Sequence, residues 1–217
     1  RLKGNNFVNG YSNATATTTL SGNFGGDLEV AGNFTNNAVF TVSQRAVFFT
    51  GTTTQVVDGT AVAPFNIDYV VVAKNPGSGT VLLNKELLIG GPQGGSAVVF
   101  YAATDIIDLN GFKLTVGTSG VYSTVVGDGK FKGGSNDSEL SILGIGQIGT
   151  LNFDNTTPGV TNNLKNLTLN RTISSPTYPT AGFSLGSDVT ISNTATLTAG
   201  TINLGSANMT IGASASI

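Results

Sequence analysis

Chemistry in a protein needs groups that donate, accept or carry charge, and this chain has few of them. It holds 10 Lys and Arg and 12 Asp and Glu among 217 residues, with no His and no Cys. The lack of His removes the commonest general base and the commonest zinc ligand. The lack of Cys removes disulfides and thiolate metal sites. Two stretches do gather oxygen ligands of the hard kind that suits calcium. Asn136, Asp137 and Glu139 cluster in GGSNDSEL, and Asp105, Asp108 and Asn110 lie in TDIIDLNG. The first trio is the stronger candidate for a metal site. Neither stretch follows the EF-hand loop or the glycine-rich nonapeptide repeat, and the competing reading is acids that cap turns.

Polysaccharide chemistry needs more: two carboxylates flanking the bond for hydrolysis, or a base beside a cation for elimination. The available pairings are Lys74, Lys85 and Glu86, or Lys113 with Asp108. Lys85 and Glu86 are neighbours, so a strand would point them to opposite faces. Lys74 and Arg171 fall at matched places before loops and read as solvated turn residues. No catalytic residue is expected, and the chain reads as non-enzymatic. An exposed sugar-stacking platform is open to Tyr101 or Tyr178, against buried packing as the default for aromatics, and sugar contact, where it occurs, is assigned to Tyr178 or the loop around it. Threonine pairs at T-x-T spacing (Thr15/Thr17, Thr52/Thr54, Thr194/Thr196/Thr198) place hydroxyls on one strand face. This allows an ice-binding face as a third reading, against the ordinary use of Thr on exposed strands.

The elements that would position such groups are strands. Charged residues are 10% of the chain, against roughly 25% in an average soluble protein. With 39% hydrophobic residues and a net charge of only -2, the chain has enough apolar surface to fold. Glu occurs only at positions 29, 86 and 139, while Thr, Val, Ile and Phe occupy the branched and aromatic positions that fit a pleated sheet. The 30 Gly and 6 Pro supply turns. A sequence pI near 4.9 argues against nucleic acid as a partner. No apolar run is long enough to insert into a membrane.

Repetition is the strongest signal. TDIIDLNGFKLTVG (104–117) aligns without a gap to AGTINLGSANMTIG (199–212), setting Ile107 on Ile202, Leu109 on Leu204 and Leu114 on Met209. VLLNKELLI (81–89) falls on FSLGSDVTI (183–191), and YVVVAK (69–74) on NLTLNR (166–171). A shorter period of about 20 residues links Leu169, Val189 and Met209, within the range of solenoid coils. The expectation is an all-β parallel solenoid (β-helix) of stacked ~20-residue coils in two super-repeats of about 95–100 residues. Residues 1–23 form an N-terminal coil, 24–117 the first super-repeat and 118–217 the second, which stops inside an unfinished coil at Ile217. Two β-sandwich domains are the structural rival, but they have no need of the shorter period. Phe48, Phe49, Phe100, Tyr101, Phe112, Phe131 and Phe153 are expected to fill the interior.

GDLEVAGNFTNNAVFTV (26–42), TGTTTQVVDG (50–59), DLNGFKLTVG (108–117), GSNDSELSILGIGQIGTLNFD (134–154) and NNLKNLTLNR (162–171) resemble the repeats of very large surface proteins from gliding and type IX-secreting bacteria, adhesin-like members included. The resemblance covers most of the chain. It implies an extracellular or bacterial cell-surface location and a stalk, filament or adhesive role. It implies as partners neighbouring repeats of the same or a larger chain, a second copy stacked end to end, or cell-surface glycans. It supplies no catalytic motif. The expected function is a non-catalytic structural segment, with a polysaccharide-binding or polysaccharide-processing β-helix as the alternative. No cofactor is expected beyond a structural calcium.

Overall fold

The computed structural model describes every residue except 12–14, 16, 24, 75–78, 92–93, 135–136, 214–215 and 217. Among the described residues all regular elements are strands, and every strand pairing is parallel. The chain winds as a β-solenoid. Each coil lays one strand in each of up to three sheets before the next coil repeats the path.

The first sheet holds six strands: Leu2–Gly4, Leu28–Val30, Ala46–Phe49, Tyr69–Val72, Gly95–Phe100 and Ser123–Val126. The second holds nine: Phe7–Asn9, Phe34–Asn36, Gln55–Asp58, Thr80–Leu83, Ile106–Asp108, Lys130–Lys132, Gln147–Phe153, Gly182–Leu185 and Thr201–Asn203. A separate two-stranded sheet pairs Thr17–Thr19 with Val39–Thr41 ahead of the third sheet. The third sheet holds seven strands: Phe65–Ile67, Leu87–Ile89, Lys113–Val116, Glu139–Ile145, Asn163–Thr172, Val189–Ala199 and Met209–Ile211.

Period-2 alternation sends every second side chain inward, and parallel register stacks those side chains coil upon coil. Phe65, Leu87, Leu114, Leu140, Leu167 and Ala195 form one interior column of the third sheet. Ile67, Ile89, Val116, Ile142 and Leu169 form the next, and Leu197, next in register, is 46% exposed. The second sheet contributes Val81, Ile107, Phe131 and Phe153. These columns join in one core, and full burial of each such side chain contributes roughly 1.5–3 kcal/mol.

The coils are longer than the sequence suggests. Leu87 pairs with Leu114 and Leu114 with Leu140, steps of 27 and 26 residues. Steps near 20 occur where a coil turns tightly, as in Val189 with Met209 and Phe183 with Ile202. Leu169 therefore does not stack on Val189; its neighbours are Ile142 and Leu197. Val189 is buried and rests on the partly buried Met209. Val189→Asp would bury an unpaired charge in the last coils, at a cost on the order of 3 kcal/mol. Because neighbouring coils are coupled mainly to one another, the loss is expected as faster amide exchange across residues 182–211. Unchanged exchange there would show that the position is not core.

The long repeat holds for part of its length. Val81 and Phe183, Leu83 and Leu185, and Ile89 and Ile191 are all buried in corresponding sheets. Residues 106–108 and 201–203 both lie in the second sheet, and 113–116 and 209–211 both in the third. Two correspondences fail. Tyr69–Val72 belongs to the first sheet, whereas 166–171 run through the third, because Asn163–Thr172 does not break at the corner. Leu109 is fully buried, but Leu204 is 41% exposed in the outermost described coil. The two units are thus not equivalent strand for strand. Gly117 shows what the corners require: at φ 88 a side chain there would meet Leu143 O at 2.2 Å, so glycine alone fits without strain.

Candidate functional site

The aromatic residues divide between core and surface. Phe49, Phe100, Phe131 and Phe153 are buried. Phe112 is partly buried, Phe48 lies under the Arg1 guanidinium at 3.8 Å, and Tyr101 is 71% exposed rather than interior. Tyr178 sits on the surface loop between Asn163–Thr172 and Gly182–Leu185. Backbone bonds in both directions join Ser174 and Tyr178 across that loop. The Tyr178 ring stacks on Tyr122 at 4.1 Å and 16°. One face of the predicted sugar platform is therefore already covered by a second tyrosine. Below the loop, Arg171, Thr172, Ile173, Pro179, Thr180 and residues 199–201 line an open cleft of about 460 Å³ with a mostly apolar wall.

Of the predicted calcium ligands, Asn136 lies outside the described residues. Asp137 is exposed and pairs with Lys165 at 2.8 Å, which raises the lysine's pKa. Glu139 accepts a bond from Asn166 Nδ2 at 2.6 Å, and Asn166 Oδ1 accepts from Asn193 at 2.9 Å. This is a polar ladder along the outer face of the third sheet, with Lys113 beside Glu139 in register. Lys113 is accordingly not the partner of Asp108. That carboxylate pairs with Lys132 at 2.8 Å and accepts the Asn110 N–H at 3.0 Å. Among the described residues no three acidic groups converge as a metal cage. Of the T-x-T runs, Thr196 lies in an outward column with Thr115, Ser141 and Thr168. Within it Ser141 is only 5% exposed.

Lys74 and Arg171 correct the expectation of solvated turn residues most sharply, for they are 2% and 0% exposed. Buried carbonyls need donors, and each of these two cations supplies them. Arg171 donates through Nε to Gly146 O at 2.8 Å and through Nη1 to Leu143 O at 2.5 Å. Its Nη2 reaches Ser123 O at 3.1 Å and also bonds Ile145 O. Burial lowers its pKa to about 10, with Tyr122 acting in the opposite sense, so it stays charged at neutral pH.

Lys74 reaches back one coil. Its Nζ donates to Thr53 O at 2.8 Å and to Gln55 Oε1 at 2.5 Å. Burial pushes its pKa down to about 8, and Asp105 only partly offsets this. Asp105 is itself fully buried and accepts the N–H groups of Lys74, Tyr101 and Ala102. Gln55 is 0% exposed, in register with Val81 in an otherwise apolar column. Its Oε1 also accepts the Gly51 N–H at 3.0 Å. Its Nε2 donates to Val30 O at 2.8 Å and to Gly32 O. Sequence reasoning passed over this group. The signal was present in the alternation of TQVVD, where Gln55 shares its face with the buried Val57.

No family model matches the chain, and neither the curated proteins nor the solved structures give a match. Among the described residues no helix is long and apolar enough to cross a membrane.

Proposed function

We propose that this chain is a non-catalytic structural segment of an extracellular bacterial repeat protein, a section of rod, stalk or filament that spaces or displays adhesive parts. The observation that carries the reading is the unbroken stacking of interior columns from coil to coil, the arrangement that makes a solenoid stiff along its axis. The use of charge supports it. Asp108 with Lys132 and Asp137 with Lys165 tie adjacent coils, and Arg171 is spent on backbone carbonyls. In this reading the partners are neighbouring repeats, or a second copy stacked end to end.

A second reading, polysaccharide binding, is favoured by the surface pair Tyr122 and Tyr178, since stacked aromatics offer a rigid apolar face to a sugar ring. One experiment addresses both readings. The purified chain is incubated with alginate, pectin and related uronate polymers, and applied to a glycan array with and without calcium. No chain cleavage is expected, and any glycan signal is expected to fall on Tyr178→Ala. Turnover that is lost on Lys132→Met or Asp137→Asn would overturn the structural reading. Array binding unchanged by Tyr178→Ala would remove the tyrosine pair from the second.

A further inference from the structure

The corner at Lys74 differs from the corner at Arg171 in one chemical respect. Arg171 offers a guanidinium, which is not a nucleophile, to four carbonyls. Lys74 offers a primary amine to a side-chain carboxamide, in a buried site. Among the described residues no carboxylate forms an ion pair with that amine. The ammonium donates to two neutral oxygens in a buried site, an unfavourable state that the field of the buried Asp105 only partly offsets; Asp105 itself is held by three backbone N–H groups.

We propose that Lys74 and Gln55 become joined by an intramolecular amide bond between Nζ and Cδ, formed by the chain itself with loss of ammonia. The contact at Oε1 holds the amine against the carboxamide, and both side chains are almost wholly buried. Gly51 and Gly79 permit that closeness. A side chain at Gly51 would meet the Gln55 carboxamide carbon at 3.2 Å, and one at Gly79 would meet the Lys74 stem at 2.8 Å.

The step balances without a co-reactant. The neutral amine adds through its lone pair to Gln55 Cδ, and the carbonyl electrons move onto Oε1. The Gly51 N–H already points at that oxygen and stabilises its charge, a contribution of roughly 10²–10³ in rate in sites of this kind. Nζ gives up a proton and Nε2 takes one. The Cδ–Nε2 bond then breaks, its electron pair leaving with nitrogen as ammonia. The carbonyls of Val30 and Gly32 hold that nitrogen and accept from it as it departs. Fixed proximity can raise the effective concentration of well-oriented reactants to about 10⁵–10⁸ M. The lowered pKa, about 8, supplies neutral amine at mildly alkaline pH. Burial keeps water from competing.

Intact mass spectrometry of the full chain tests this, on fresh protein and after incubation above pH 8. The expected mass is one ammonia below that of the sequence. Trypsin is expected to leave the bond after Lys74 uncut, giving a single internally linked peptide spanning 46–85. Gln55→Leu and Lys74→Met are each expected to return to their sequence masses. Succinimide formation at Asn9-Gly10 or Asn110-Gly111 loses the same ammonia, but it opens in mild base and persists in both variants. A chain at its sequence mass throughout, cut normally after Lys74, would overturn the proposal. So would an ammonia deficit that survives Gln55→Leu. Should a variant fail to fold, the wild-type peptide map decides alone.

Discussion

Arg171→Ala is expected to lower the unfolding free energy by about 4 kcal/mol or more, read as a drop in the urea midpoint followed by far-ultraviolet circular dichroism. The magnitude follows from what the side chain leaves behind. Gly146 O, Leu143 O, Ile145 O and Ser123 O all turn toward the guanidinium. Each buried acceptor stranded without a donor costs about 1–3 kcal/mol, and water entering from the adjacent cleft would restore only some of them. Arg171→Lys is expected to recover part of the loss, because one ammonium cannot span four oxygens around a corner. The carbonyls come from two preceding coils, so the effect is expected to spread to the strands at 123–126 and 147–153. A midpoint shift worth under about 0.5 kcal/mol, the range of ordinary surface substitutions, would show that the corner supports itself.

Phe131→Ala is expected to cost about 3–5 kcal/mol, the range for emptying a buried aromatic site. The ring is fully buried and meets Phe100 edge-on at 5.5 Å and Phe153 at 6.3 Å. Its position matters as much as its size. It lies mid-stack, with Ile107 on one side and Phe153 on the other. In a molecule whose coils hold mainly their neighbours, weakening one interior contact uncouples the two sides. Two thermal transitions are therefore expected in place of one. Tyr101→Ala, one coil earlier and 71% exposed, is the control and is expected to change stability by under about 0.5 kcal/mol. A single unshifted transition in Phe131→Ala would argue against a continuous core.

The architecture was legible because alternation and repetition both survive in the sequence. Val81, Leu83 and Ile89 and their counterparts Phe183, Leu185 and Ile191 carry the inward positions with little variation. Coil length was harder to read. The 20-residue spacing came from Val189 and Met209, which do pair, but Leu169 belongs to another column. Corners of variable length hide the true step from any fixed-period comparison. The buried cations were misread for a different reason. A charged residue beside a loop is ordinarily solvated, and only the tertiary fold brings Leu143 O and Ser123 O to Arg171, the latter 48 residues away. Gln55 was hidden in the same way, since its partners Val30, Gly32 and Lys74 come from the coils on either side of it. The stacking of Tyr178 on Tyr122 joins two stretches the sequence keeps 56 residues apart, so no local pattern could show it.

The uneven strand lengths give the stack a direction of failure. Near the beginning of the chain, coils are sutured by patches of three residues, as between Leu2–Gly4 and Leu28–Val30. Farther on, Glu139–Ile145 is matched residue for residue by Asn166–Thr172, seven consecutive pairs that carry the ladder around the corner without a gap. Under tension a short patch can open in one event, whereas a seven-pair seam must open pair by pair or shear as a block. Unravelling begun at the early coils would run until it met Glu139 and stall there. The two halves would act as a yielding segment in series with a stiff one, so that extension under load is absorbed before the later coils are disturbed.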